Sequence, residues 1–316
     1  MIENQEGYDP LNIGDQIISS FFLLFPLCSL CPLRPLRSSG FSWKGLCSMA
    51  EDGSLKGTWA VVLGASSGIG AACAVALAEA GADIVGVALG RRQSRGTADA
   101  AKAAIEAAGR RAWFIRANAA DAQGRAKVLD EIAPEVGPGG VRVLIHSLGF
   151  GSPVRFIGGE PSVRGVPFSR QMEMTLDVMA LSLVYWVQDL IARDLMGRGG
   201  RILAMSSHGA HRVLPGYGAV GTAKAALEAN VRELAVELAP CGITVNTIRA
   251  GLTDTPSFRA IPTSAEMLDR VQRSHPAGRI TTPQDVAGAV LALCSAGCGW
   301  ITGNTISVDG GESIVG

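Results

Sequence analysis

From residue 55 onward, short runs of apolar, β-prone residues alternate with longer stretches of helical pattern. A continuous apolar run of about 4–8 residues is typical of a strand that is buried on both faces of a sheet. Seven such runs are predicted strands: 59–63, 83–89, 112–116, 141–146, 201–205, 243–248 and 305–308. Because helical patterns separate nearly all of them, we expect a single α/β domain over 55–316. Its sheet would be parallel and doubly wound, with ligands at the carboxyl ends of the strands.

The first predicted strand runs directly into the glycine-rich sequence GASSGIG at 64–70, and an alanine-rich helical pattern follows. Gly64, Gly68 and Gly70 permit positive φ angles and a close approach of the backbone to a ligand. The N-terminus of the following helix offers free N–H groups to a pyrophosphate. A glycine triplet alone is weak evidence, but between a strand and a helix it predicts a Rossmann-type dinucleotide site.

The second predicted strand is followed closely by Arg91, Arg92 and Arg95. A nicotinamide cofactor without a 2′-phosphate usually meets an Asp or Glu near this position. The run contains arginines and no acid, so it favours NADPH over NADH. The alternative is that these are solvated charges on a loop, which is common for isolated arginines.

Tyr217 and Lys224 lie in a stretch, 216–229, that is rich in alanine and lacks proline, which predicts a helix. Seven residues are close to two helical turns, so both side chains would leave the same helix face. A phenol beside an ammonium is a plausible acid pair, because the cation favours phenolate character and the phenol can donate to a developing oxyanion. Taken alone, the pair is equally well explained as a surface tyrosine and a surface lysine that share a helix face by chance.

The chain has 316 residues, of which 47% are apolar and 18% charged, and its formal net charge is +0. This composition is that of a soluble globular protein, and no basic stripe suggests a nucleic-acid partner. Cys28 and Cys31 form a lone C-x-x-C without a second pair or partner histidines, so no metal site is expected. The scattered cysteines favour a reducing cytoplasm.

Residues 1–54 form a predicted N-terminal extension, either disordered or upstream of a true start at Met49. Its apolar run at 17–33 is interrupted by Pro26 and Pro32 and follows acidic residues, unlike a signal peptide. The run is also shorter than the roughly 20 residues of a spanning helix, so no membrane segment is expected, and a membrane anchor is the alternative interpretation.

The segment 253–280 is longer and more irregular than an ordinary connection, and it contains Pro256, Pro262 and Pro276. Long irregular loops in compact domains often serve as lids. We therefore predict that this segment covers the substrate.

Residues 55–316 resemble the short-chain dehydrogenase/reductase superfamily over nearly their whole length. The resemblance rests on the glycine turn, the Tyr217–Lys224 pair, AGLTDT at 250–255, ITGNT at 301–305 and VDGG at 308–311. Most members reduce carbonyls and carry the tyrosine four residues before the lysine. Val220 holds that position here and has no proton to donate.

The Tyr-x6-Lys spacing is similar to that of the enoyl-acyl-carrier-protein reductase branch. So is HSLGF at 146–150, where carbonyl reducers usually have Asn-Asn-Ala-Gly. Ser207 is ambiguous, because it stands where many bacterial enoyl reductases have a second tyrosine and where carbonyl reducers have a catalytic serine. The helical asparagine of carbonyl reducers is absent, with Met179 and Ala180 near its place. The resemblance therefore implies a divergent enoyl reductase.

The resemblance also implies roles for individual residues. Tyr217 would donate to the substrate oxygen, and Lys224 would hold the nicotinamide ribose hydroxyls and lend positive charge. Ser207 would either assist the oxyanion or cap a strand. The remaining implied contacts are with the cofactor: Gly64, Ser66, Ser67, Gly68, Ile69 and Gly70 at the pyrophosphate, Asn118 and Ala119 at the adenine, Ser147, Leu148 and Gly149 along the cleft, and Thr253, Asp254 and Thr255 at the nicotinamide amide.

The tyrosine spacing has a chemical consequence. A carbonyl reducer delivers hydride to the carbon that bears the oxygen, whereas in an enoyl thioester the hydride goes to the β-carbon and charge develops on the distant thioester oxygen. A proton donor helps only where charge develops. Moving the tyrosine back by one helical turn, about 5.4 Å, would carry its hydroxyl toward that oxygen.

The favoured interpretation is an NADPH-dependent enoyl-acyl-carrier-protein reductase of fatty-acid elongation, acting on an acyl-carrier-protein or CoA thioester. One alternative is a carbonyl, ketoacyl or hydroxysteroid-type reductase. Another is a non-catalytic nucleotide-binding regulator, against which the presence of both Tyr217 and Lys224 argues. Members of the superfamily are usually tetramers, so a homotetramer is expected.

Overall fold

The computed structural model describes residues 55–151, 155–157, 168–259 and 264–315. The predicted extension over 1–54, including Cys28, Cys31 and the candidate start Met49, lies outside the described residues.

Seven parallel strands form one sheet in the order β3-β2-β1-β4-β5-β6-β7. They are β1 (Trp59–Leu63), β2 (Asp83–Ala88), β3 (Ala112–Arg116), β4 (Val141–His146), β5 (Arg201–Ser207), β6 (Thr244–Ala250) and β7 (Thr305–Val308). The chain runs outward in one direction from β1 and in the other from β4, so the order reverses between these two strands. In such sheets the ligand cleft lies at this reversal, beyond the carboxyl ends of the strands.

Nine helices are present in the described residues: α1 (Gly68–Glu79), α2 (Arg95–Ala107), α3 (Ala122–Val136), α4 (Phe168–Leu176), α5 (Ser182–Ala192), α6 (Gly218–Leu238), α7 (Pro256–Arg259), α8 (Ser264–Ser274) and α9 (Pro283–Cys294). The apolar sides of α3, α5 and α6 pack on one face of the sheet, and those of α1, α2 and α9 pack on the other. The predicted doubly wound fold is confirmed.

Strand β1 illustrates why the apolar runs become central strands. Val61 and Leu63 point into the core on one face of the sheet, while Ala60 and Val62 point into the core on the other. Because successive side chains of a strand alternate between faces, a strand covered on both sides needs apolar residues at every position.

Helices α4 and α5 are joined by a π-helical turn, Asp177–Leu181. Asn230 of α6 donates through Nδ2 to the carbonyl oxygen of Ala180 in this turn, at 3.2 Å. By length and composition the stretch Phe168–Ala192 would suffice to cross a membrane. Within this stretch, Leu183, Trp186 and Leu190 are buried in the core that covers one face of the sheet.

The segment 253–280 departs from its prediction as an irregular loop. The described residues there contain helices α7 and α8, and a bridge pairs Thr253 with Thr281. Pro256 is the first residue of α7, a position at which its missing N–H and fixed φ are tolerated. Pro276 follows shortly after the end of α8. These two prolines mark helix ends, which from sequence alone resemble irregular structure.

Candidate active site

The glycine turn between β1 and α1 is built so tightly that side chains are excluded. Gly64 has φ +89°, and a Cβ there would lie 2.3 Å from the carbonyl oxygen of Ser147. A Cβ on Gly70 would lie 2.3 Å from the carbonyl oxygen of Gly64. The N–H of Ser147 donates to the Leu63 carbonyl at 2.9 Å, so the predicted cleft segment 147–149 begins beside the turn.

The stretch after β6 reaches the same turn from the other side. The Thr255 Cγ2 atom would be 3.2 Å from a Cβ on Gly68, while Thr253 is buried and donates to the Gly251 carbonyl. Asp254 does not join this cluster through its carboxylate. Arg259 binds both Asp254 oxygens at 2.7 Å, and this pairing lowers the pKa of the Asp254 carboxyl.

The candidate adenine residues Asn118 and Ala119 follow β3. The Asn118 side chain is exposed and accepts from the N–H of Ala120 at 3.2 Å. Ala119 differs, because its carbonyl oxygen faces the core and accepts from the buried Trp186 indole at 2.7 Å. Asn118 therefore presents the only side chain of this pair that is free to face a base from solvent.

Arg91 and Arg92 follow β2 and are exposed. In the described part of the chain, neither arginine forms an ion pair with a carboxylate. Thr97 of α2 donates to the carbonyl of Ser66 at 2.7 Å and thereby ties this region to the glycine turn. Thr97 was not predicted, since its partner is 31 residues away and the pattern around it is that of a solvent-exposed helix start.

Tyr217 lies at the N-cap of α6, one position before the helix and not within it as predicted. Its ring covers Gly209, where a Cβ would come within 2.5 Å of the ring atoms. Burial raises the pKa of the Tyr217 hydroxyl, and a hydrogen bond with the Ser207 side chain partly opposes this. The raised pKa keeps the Tyr217 hydroxyl protonated at neutral pH, which is the opposite of the phenolate character predicted from the neighbouring ammonium.

Ser207 is the last residue of β5, which extends two residues beyond its predicted end. Its hydroxyl contacts Tyr217 and also accepts from the N–H of Gly209 at 3.2 Å, capping the turn that follows. The contact with Gly209 is a capping contact, while the role of assisting the oxyanion, which the sequence also left open for Ser207, stays a prediction.

Lys224 lies in the second turn of α6 and is only 5% exposed. Its Nζ donates to the carbonyl of Met205 in β5 at 2.5 Å. Burial lowers the pKa of Lys224 to about 8, and the neighbouring Glu228 carboxylate opposes this shift. Lys224 contacts Met205 and Tyr217 contacts Ser207, so both side chains reach the end of β5, but Tyr217 precedes the helix whose face the two were predicted to share.

His146 closes β4 beneath this pair. Burial lowers its pKa to about 3, with a further contribution from the Lys224 charge, so the ring is neutral at physiological pH. Its Nε2 lies 2.9 Å from the Ser182 hydroxyl. This neutral histidine does not compete with Tyr217 as an acid.

A cavity of about 620 Å³ adjoins Tyr217. Its walls are the turn over 209–216, the first two turns of α6, and Arg155 with Phe156. A volume of about 300–1,000 Å³ is typical of small-molecule sites, so the phenol stands at the border of a space large enough for a substrate.

A sequence profile of the family described as enoyl-(acyl carrier protein) reductase matches residues 64–313. The chain belongs to this family of short-chain dehydrogenases/reductases. The match spans every strand from the glycine turn to β7, so the family assignment covers the whole described site.

Two relatives are similar to this chain over much of its length. The chain is 33% identical to 1-cyclohexenylcarbonyl-CoA reductase of Streptomyces collinus over 261 residues, 81% of this chain and 86% of the relative. It is 32% identical to the enoyl-[acyl-carrier-protein] reductase (NADH) of Aquifex aeolicus over 179 residues, 56% of this chain and 64% of the relative. The structure of the Aquifex enzyme matches with a TM-score of 0.72 at 25% identity, covering 83% of this chain and 99% of that one.

A short-chain dehydrogenase from Burkholderia cenocepacia, solved in complex with NADP, matches with a TM-score of 0.70 and 31% identity, covering 82% of this chain and 99% of that one. The family and these relatives make the chain an NAD(P)H-dependent oxidoreductase, as the sequence predicted. The interpretation as a non-catalytic regulator is not supported.

Proposed function

We propose that this oxidoreductase is an NADPH-dependent reductase of enoyl thioesters, carried on acyl carrier protein or CoA. The main observation behind this proposal is the position of the Tyr217 phenol. Tyr217, at the start of α6, reaches Ser207 at the end of β5, whereas Val220, four residues before Lys224, is buried in a small apolar cluster with Met179 and Ala223. The only phenol near Lys224 in the described residues therefore stands one turn back from the carbonyl-reducer position.

The residues of the glycine turn fit a dinucleotide. Gly64, Gly68 and Gly70 leave the backbone bare, and α1 begins at Gly68 without an acidic residue in its first turn. A helix N-terminus of this kind binds anions such as a pyrophosphate. When bound, a nicotinamide dinucleotide supplies the hydride. Arg91 and Arg92, without carboxylate partners in the described residues, would meet the 2′-phosphate of NADPH.

The chain's own residues then handle the charge that appears on the thioester oxygen. Because burial raises the pKa of Tyr217, its hydroxyl keeps its proton at neutral pH and can donate to that oxygen. Ser207 orients the hydroxyl. Lys224 would hold the ribose hydroxyls, and its positive charge stabilises negative charge that develops nearby.

The relatives' names support a thioester substrate. The Streptomyces relative is named for the reduction of 1-cyclohexenylcarbonyl-CoA, in which a ring double bond is conjugated to a CoA thioester. The Aquifex relative is named for enoyl groups on acyl carrier protein and for NADH. We propose that the cavity beside Tyr217 receives the acyl chain and that 253–280 covers it.

Carbonyl reduction is the second candidate. The hydrogen bond between Ser207 and Tyr217 is an arrangement that would also serve a carbonyl oxygen, and one relative, 31% identical over 268 residues, is named an NADPH-dependent aldehyde reductase-like protein of Arabidopsis thaliana. The position of the phenol favours the enoyl substrate over this alternative.

The test is a side-by-side assay of NADPH oxidation with crotonyl-CoA and acetoacetyl-CoA, using wild type, Tyr217→Phe and Tyr185→Phe. Tyr185 is a matched control, because its ring lies under Arg125, 5.4 Å from the guanidinium, away from the site. We expect faster turnover of crotonyl-CoA, and loss of about 10²–10⁴-fold in Tyr217→Phe only. Preference for acetoacetyl-CoA, or full activity of Tyr217→Phe, would reject the proposal.

A further inference from the structure

Glu228 is a carboxylate that is only 2% exposed and lies one helical turn after Lys224 in α6. The Ser206 hydroxyl donates to its Oε1 at 2.6 Å, and Nε2 of His211 lies 2.5 Å from its Oε2. The Arg249 guanidinium lies 3.4 Å from both oxygens. Three elements therefore meet at this one side chain: the end of β5, the turn that follows it, and β6.

A buried carboxylate is costly to place in a protein, and a well-packed apolar residue is often as stable or more stable at such a position. Stability of α6 alone does not account for a charge here. One of the groups that Glu228 holds, Ser206, lies between Met205 and Ser207 in β5. These two neighbours are the β5 residues that contact Lys224 and Tyr217.

We propose that Glu228 is a positioning residue for the reaction: its buried carboxylate fixes the end of β5 and faces the Lys224 ammonium, so that the Tyr217–Lys224 pair keeps its geometry and its charge. The proposal builds on the function proposed above, since it concerns the same pair. Glu228 itself does not line the cavity beside Tyr217.

The charges around Lys224 support an electrostatic part of this role. Lys224 faces Glu228 from its own helix and His146 from β4, while Glu228 also faces His211 and Arg249. His146 is neutral, because its pKa is lowered to about 3. Glu228 is thus the negative charge that offsets the burial of Lys224, whose pKa is about 8.

The Lys224 titration can be observed directly, because the chain has only five lysines. Protein labelled with ¹³C at lysine Cε would be titrated by NMR from about pH 5.5 upward, so that a midpoint about one unit below 8 still lies within the titrated range. The Lys224 signal is assigned by its disappearance in Lys224→Met. We expect Glu228→Gln to lower the titration midpoint of Lys224 by about one pH unit and to reduce crotonyl-CoA turnover at least tenfold.

Glu233→Gln is the matched control, since Glu233 is an exposed glutamate of the same helix; it should match wild type in both measurements. The inference is overturned if the Lys224 midpoint of Glu228→Gln matches that of Glu233→Gln or, where wild type reduces crotonyl-CoA, if the turnovers of the two variants match. Should Glu228→Gln fail to fold, Ser206→Ala leaves every charge in place; reduced turnover with an unchanged Lys224 midpoint is then expected, and wild-type turnover overturns the inference. Wild type without enoyl turnover would reject the proposed function, whereas the lysine titration, which needs neither substrate nor nucleotide, would still decide the role of Glu228.

Discussion

Replacing Lys224 by methionine should abolish turnover and, at neutral pH, make the protein more stable. The side chain is buried, and its pKa is lowered from 10.5 to about 8. A difference of about 2.5 units corresponds to a cost of about 3 kcal/mol for carrying the charge in the folded protein at pH 7. Methionine has a similar volume and loses one hydrogen bond, to the Met205 carbonyl, worth about 1 kcal/mol. The net expectation is a gain of about 2 kcal/mol.

The stability that Lys224→Met gains over wild type should decrease as the pH rises. Below pH 8 the lysine is charged in both the folded and the unfolded protein, and the folded protein bears the full cost. Between about pH 8 and 10.5 the folded protein has released the proton while the unfolded protein still holds it, so the wild type gains stability as pH rises. The advantage of Lys224→Met should therefore shrink across this window.

Urea unfolding of wild type, Lys224→Met and Lys127→Met at pH 7 and at pH 9.5 measures these differences. Lys127 is an exposed lysine of α3, and its replacement should change the unfolding free energy by no more than about 0.5 kcal/mol. If Lys224→Met is less stable than wild type at pH 7, Lys224 contributes to the fold as an anchor and the argument from its burial is wrong.

Two further predictions concern the nucleotide side. Gly64→Ala should destabilise the protein by about 2–4 kcal/mol, because alanine is strained at φ +89° and its Cβ would meet the Ser147 carbonyl at 2.3 Å. The variant should also bind NADPH more weakly, as measured by nicotinamide fluorescence. Unchanged binding would exclude the turn from the cofactor site. The double variant Arg91→Gln, Arg92→Gln should raise the KM for NADPH at least tenfold while the KM for NADH, the internal control, stays within about twofold; equal changes for both nucleotides would contradict a 2′-phosphate site.

The central strands were predictable because their environment is uniform. Strand β1 is buried on both faces, so its sequence is a continuous apolar run, and its predicted bounds match the structure. Strand β5 was predicted too short because its last residues, Ser206 and Ser207, are polar. These residues at the carboxyl end of the strand belong to the site. Their polar side chains suit them to a site, but they also interrupt the apolar run by which the strand is recognised in the sequence.

The remainder of the site depends on contacts between distant parts of the chain. Glu228 meets His211, Ser206 and Arg249, which are 17, 22 and 21 residues away, and its sequence neighbourhood is that of an ordinary amphipathic helix. The Ala119 carbonyl accepts from the indole of Trp186, 67 residues later. Local patterns carry no information about such partners, whereas the glycine turn is local and was recognised in full.

The most direct test of the central claim follows the hydride. Crotonyl-CoA would be reduced with NADPH that carries deuterium at both C4 positions of the nicotinamide, and the product would be examined by NMR and mass spectrometry. If the phenol of Tyr217 meets charge on the distant thioester oxygen, deuterium will appear at C3 of butyryl-CoA and a solvent proton at C2. Absence of label from C3, with label found instead at the oxygen-bearing carbon of a hydroxyacyl product from acetoacetyl-CoA, would contradict enoyl reduction.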